Sequence, residues 1–290
     1  CHATDVLIEL LRLLNRSTSD PKCQKLLLAS DAASVRAAAE VCSFVPNEFA
    51  VGAALNLLCG FPLWSDFEVE VTRVLAGAGS ILPVYSAAAR GQYPPVIRQK
   101  LAEALCNASH NLECHQRFSD PVITNNANEK PIPVVAVLLD LLLSSAELQT
   151  TREVAALTTT NVCLEATVRD AAVDHGIKRV VELVVGGWQR MFSKSKTGPK
   201  SLSDIISDAN GKTAIRCSTA LKLLTRLVKS ADGLQAVRGH RGAVQVITAV
   251  AKAGIQACGD VSVRPKVPRD EDTLQIVRNS SQLIAMCLHG

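Results

Sequence analysis

Apolar residues recur at three- and four-residue spacing along most of this chain, in blocks set apart by short polar stretches. That period belongs to amphipathic helices and not to strands. Six blocks close in the same way: LIELLRLLNRS, AALNLLCGF, LAEALCNAS, AALTTTNVC, ALKLLTRLV and LIAMCLHG end a Leu- or Ala-rich run at Asn15, Gly60, Asn107, Asn161, Arg226 and Cys287. The intervals between these marker positions are 45, 47, 54, 65 and 61 residues. Self-similarity at that length signals stacked helical repeats, each unable to bury its own apolar face alone. The expected fold is therefore all-α: a right-handed α-solenoid of about five to six repeats in one domain over residues 1–290.

The longer intervals call for insertions, and composition locates them. Residues 120–133 (DPVITNNANEKPIP), 193–213 (SKSKTGPKSLSDIISDANGKT) and 259–272 are rich in residues that cannot extend a packed helix, so each is expected to be a loop. After several markers comes a short helix, a turn with Gly or Asp, and a second amphipathic helix. In VRDAAVDHGIKRVVELVV, Gly176 is predicted to end one helix, and Ile177, Val180, Val181 and Val184 to line the next. Breaks are predicted likewise at Gly77 and Gly79, and at Gly239 and Gly242.

Two segments carry a family likeness. REVAALTTTNVCLEATVRDAAVDHGIKRVVELV (Arg152–Val184) resembles an armadillo repeat in its Ala and Leu spacing before Asn161, its short following helix and its DHG turn. PVIRQKLAEALCNASHNLECHQRFSD (Pro95–Asp120) is similar through its ALCNAS core. Gly60, Arg226 and Cys287 stand where that pattern expects Asn, so HEAT-like repeats also fit. The resemblance implies a superhelix whose third helices, here those ending at the markers, line a concave groove.

In such a groove an Asn amide offers both a donor and an acceptor to an extended peptide backbone. Asn107 and Asn161 are the main candidates, with the alternative that each amide ties down a helix end or loop. Residues four positions before the markers share their helix face: Leu11, Asn56, Glu103, Leu157, Lys222 and Leu283. Nuclear-import adaptors of this family place Trp there to hold cargo lysines; this chain has none at those positions, which disfavours that role. Arg216, Lys222, Arg226 and Lys229 gather near one helix, a chemistry suited to an acidic or phosphorylated peptide. The candidate groove residues are thus Asn56, Glu103, Asn107, Asn161, Lys222 and Arg226.

Composition limits the alternatives. Hydrophobic residues make up 48% and aromatics only 3%, so the core is aliphatic. The net charge is +4, with both signs scattered, which argues against nucleic acid as the main partner. An RNA-binding helical repeat would need regularly placed stacking side chains, and these are missing. A third reading is a structural subunit that docks through its insertions. The longest apolar run, 132–143, contains Pro133 and Asp140 and is too short to cross a bilayer, so no membrane insertion is expected. Ten cysteines at wide spacing without a CxxC read as reduced thiols in a cytoplasmic protein. The start at Cys1 and the apolar run up to Gly290 suggest a segment of a longer protein.

No catalytic set is readable, and the expectation is a non-enzyme without cofactor or metal. Gly211, Lys212 and Thr213 end a phosphate-loop pattern whose first Gly is replaced by Ile206. Gly77 and Gly79 open a dinucleotide fingerprint that Leu82 breaks. Cys106, His110, Cys114 and His115 would suit zinc if one helix carried them all. The helix is expected to stop near Ser109, leaving a core thiol and exposed loop histidines. Function is therefore expected to be partner binding in the groove.

Overall fold

The computed structural model of the chain describes residues 2–77, 80–83, 86, 93–122, 131–189, 215–259 and 271–289. The expected insertion at 193–213, with its Gly211–Thr213 motif, lies outside them, as do 123–130 and 260–270 of the other two. All regular structure among the described residues is helical, and the one β-type contact is an isolated bridge between Pro121 and Pro133. The all-α expectation holds.

The helices are α1 (His2–Ser17), α2 (Pro21–Phe44), α3 (Glu48–Gly60), α4 (Glu68–Ala76), α5 (Pro95–Ala108), α6 (Val134–Leu143), α7 (Gln149–Val162), α8 (Ala166–Val181), α9 (Cys217–Leu227), α10 (Ala231–Gly239), α11 (Ala243–Gly259) and α12 (Glu271–His289). Local chemistry sets many of their ends. The Asp20 carboxylate accepts from Lys22 N at 2.9 Å ahead of α2, with Pro21 at the first helical position. Asn47 accepts from Phe49 N and Ala50 N, both at 3.0 Å, and so starts α3. The six marker residues all fall within the closing turn of a helix, on α1, α3, α5, α7, α9 and α12.

Contacts divide the chain into two compact units, Cys1–Val168 and Arg169–Gly290. In the first, marker helices pack on one another in chain order: α1 on α3, α3 on α5, α5 on α7. Behind them α2 packs on α3 and α4, and α4 packs on a 3-10 segment, Leu112–Ser119, that also meets α6 and α7. The seams are small and aliphatic: Ala54, Leu55 and Leu58 of α3, Leu101, Ala104 and Leu105 of α5, and Ala155 and Ala156 of α7 are fully buried. Alanine at these crossings lets helix axes approach closely.

In the second unit α12 packs against α9, α10 and α11. Again two successive marker helices, α9 and α12, meet directly. Trp188, just past a π-helical segment Glu182–Gly186, is fully buried. Gly242 has φ +80° at the turn between α10 and α11, as the glycine pair there predicts.

Gly176 behaves otherwise. It is buried inside α8, which runs unbroken through the predicted turn. Val168, Ala172, Val173, Ile177, Val180 and Val181 are all buried at spacings that never slip out of the helical period. Burial of that continuous stripe outweighs the roughly 1 kcal/mol helix penalty of one Gly.

Gly233 on α10 sits where a Cβ would come within 2.1 Å of the Leu227 carbonyl oxygen, whereas nothing lies within 4 Å of one placed on Gly239. In urea titrations Gly233→Ala is expected to destabilise the chain by about 1–3 kcal/mol or more. Gly239→Ala should be neutral or stabilising by up to about 1 kcal/mol. Equal effects at both positions would contradict the packing of α10.

Candidate interaction face

Seven residues is close to two helical turns, so positions four and seven apart share a face. On α3 that rule joins Phe49, 65% exposed, to Asn56. On α5 it joins Val96, 59% exposed, to Glu103 and Asn107, and on α7 it joins Leu157, 36% exposed, to Asn161. Because α3, α5 and α7 pack in succession, these three faces are neighbours. Four of the six candidate groove residues therefore come together, alongside exposed apolar side chains that the sequence reading did not single out. Their signal was present as apolar residues off the buried stripe, at the same helical spacing as the asparagines.

Polar bonds tie the seams of this face. Lys100 Nζ donates to Asn56 Oδ1, Cys59 Sγ donates to the Lys100 carbonyl at 3.0 Å, and Gln99 Nε2 donates to Glu103 Oε1 at 2.8 Å. Asn107 Nδ2 donates to the carbonyl of Cys59 at 2.9 Å, so α5 closes a bare acceptor at the end of α3. Asn161 Nδ2 donates to Ser109 Oγ at 3.2 Å, and Ser109 Oγ in turn donates to the carbonyl of Cys106 at 2.7 Å. Each amide thus reaches the end of the preceding marker helix and not that of its own.

At the outer markers the strip is out of register. Leu11 and Leu283 are 4% and 0% exposed, and Cys287 is 7% exposed. Aligning helices on the end of an apolar run is good to about one residue, and one residue rotates a side chain by roughly 100°. Leu11 faces the interior with Ile8, and Leu283 is enclosed because α12 is packed by three helices. Lys222 and Arg226 are half-buried on α9, in the second unit, with Lys229 exposed in the turn that follows. Thr225, between them in sequence, is buried, its hydroxyl 2.8 Å from the Leu221 carbonyl.

A cleft of about 930 Å³ lies in the second unit between α8 and α10. Val173, Ile177, Val181 and Ala236 line it together with Asp174, His175, Lys178, Arg179, Asp232 and His240. His240 Nε2 stands 3.1 Å from Glu182 Oε2. The predicted break at Gly176 would have split this wall between two helices, which is why it was not foreseen.

The cysteine and histidine cluster is dispersed. With α5 ending at Ala108, His110 Nδ1 turns back to the Cys106 carbonyl at 2.9 Å. His115 is not an exposed loop residue: it is 5% exposed, with Nε2 2.8 Å from the Ser109 carbonyl, because the 3-10 segment folds inward with Cys114 and Phe118. No group of three His, Cys, Asp or Glu among the described residues is arranged to hold a metal ion. Nor is any helix among them long and apolar enough to cross a membrane. No family model matches the chain, and no curated protein matches it as a relative.

Replacing Asn107 by Ala leaves the Cys59 carbonyl without its donor and should cost about 1 kcal/mol in chemical denaturation. Burial pushes the thiols of Cys42, Cys59, Cys114 and Cys217 from 9.0 up to about 12. In the unfolded chain these thiols ionise first, so their contribution to stability is complete below pH 9 and is lost as pH rises toward 12. The denaturation midpoint should fall across that window, and at pH 8 a disulfide reagent should label half-exposed Cys23 well before these four.

Proposed function

We propose that the chain is a non-catalytic scaffold, an armadillo-like solenoid that binds a segment of another protein across the marker helices. The observation that carries this reading is the alignment of Phe49, Val96 and Leu157 with Asn56, Glu103, Asn107 and Asn161 on three helices packed in succession. Exposed apolar side chains gathered with polar ones on a single face are the chemistry of a protein-binding surface. The family likeness of Pro95–Asp120 and Arg152–Val184 supports the same assignment. The chain-order packing of marker helices within each unit fits a repeat array as well.

In this reading an extended partner segment crosses α3, α5 and α7, setting apolar side chains against Phe49, Val96 and Leu157. One N–H of each of the Asn107 and Asn161 amides is engaged with the preceding helix end, so the second N–H and the carbonyl oxygen are what each offers to a ligand backbone. In the second unit, taken by itself, Lys222 and Arg226 of α9 suit an acidic or phosphorylated segment. Reduced, buried thiols accord with a cytoplasmic setting, and the reading requires no cofactor.

A displayed-peptide selection against the chain, followed by titration calorimetry of the peptides obtained, tests this directly. Val96→Asp with Leu157→Asp should weaken binding by at least about tenfold while circular dichroism stays unchanged. Lys222→Glu with Arg226→Glu should selectively weaken acidic peptides, and more so at low salt. Undiminished affinity in the α5 and α7 variant would move the site off this face.

A further inference from the structure

Helix α1 begins the row of marker helices and has α3 packed against one side. Its inward stripe is Ile8 and Leu11, 9% and 4% exposed. Away from that stripe Val6, Leu10 and Leu13 are 66%, 51% and 60% exposed, at spacings of four and three residues. They form a second apolar stripe along the same helix. On α12 the exposed positions are mostly polar, including Asp272, Arg278, Ser281 and Gln282, with Leu274 and Leu288 far apart at its two ends. The stripe on α1 is therefore a run of exposed apolar side chains of the kind suited to being covered.

A row of charges beside that stripe identifies the occupant. Asp5, Glu9, Arg12 and Arg16 are exposed and follow one another at spacings of four, three and four, which sets them along one flank. Acids occupy the first half of the row and bases the second. Glu9 and Arg12 already pair within the helix at 2.5 Å, with side chains 68% and 54% exposed. Reversed end to end, this row is its own complement. Run parallel, it would set acid on acid and base on base.

We propose that two copies of this chain associate through α1, antiparallel about a twofold axis near Leu10. Leu10 then meets the partner's Leu10, Val6 meets the partner's Leu13, Asp5 faces the partner's Arg16, and Glu9 faces the partner's Arg12. A twofold axis requires a self-complementary patch, and both the apolar stripe and the charged row satisfy it. One helix face is a small interface, so the dimer is weak and dissociates in the micromolar range.

Sedimentation velocity from about 1 µM to about 300 µM tests this, since a micromolar dimer crosses its transition within that range. The chain should pass from monomer to dimer, and Leu10→Asp, at an exposed position, should remain monomeric with unchanged circular dichroism. Arg12→Glu with Arg16→Glu makes the row wholly acidic, and Asp5→Arg with Glu9→Arg makes it wholly basic. Each variant alone should be monomeric, and an equimolar mixture should recover a mixed dimer that weakens with added salt. A chain monomeric throughout the range overturns the proposal, as does a dimer that survives Leu10→Asp or forms equally well in each single-sign variant.

Discussion

Helix α5 shows the constraint on which the amino-terminal unit depends. Fourteen residues long, it has Leu101, Ala102, Ala104, Leu105 and Ala108 fully buried, because α3 lies on one side of it and α7 on the other. A helix squeezed from two sides keeps only a narrow outward strip, and on α5 that strip holds Val96, Lys100, Glu103 and Asn107. The exposed surface of α5 is the remainder left by helix-on-helix burial. An aliphatic, aromatic-poor composition follows, since Ala and Leu allow close axes where bulky rings would force them apart.

Polar groups along these seams are mostly satisfied at short range. Thr158, Thr159 and Thr160, all buried on α7, donate to carbonyls four residues back at 2.8 Å each. Thr159 and Thr160 therefore pack as if apolar, while Thr158 also meets the Cys106 side chain of α5. Arg98 and Glu147 pair at 2.7 Å where the carboxylate is 6% exposed, joining α5 to the turn ahead of α7. Arg152 Nε closes the Leu142 carbonyl at 2.8 Å near the end of α6. Arginines pinned in this way hold loops and helix ends and are not available to a ligand.

Much of this was legible in the chain and some of it was not, for identifiable reasons. The end of an apolar run is a local property, and all six markers fell at helix ends. Whether Gly176 breaks a helix is a nonlocal property, decided by whether Val173 and Ile177 find a common floor. Leu11 and Leu283 were assigned outward from a repeat alignment that cannot resolve a single residue, although a single residue is what separates inside from outside on a helix. Asn107 and Asn161 stand out in the chain by residue type, but residue type names an amide's capacity and not its partner. The exposed apolar residues Phe49 and Val96 escaped notice because apolar side chains are presumed to be core.

The bond from Asn107 to Cys59 ends on main chain, and that from Asn161 reaches main chain through one serine hydroxyl. A carbonyl is present whatever side chain its residue carries. The Asn107 tie therefore does not read the identity of the residue it grips, whereas the Asn161 tie needs the Ser109 hydroxyl. The position held by Cys59 could change its side chain while Asn107 kept its hold on the carbonyl there. A fastening of that kind lets the gripped position drift in sequence without loosening the helix that holds it.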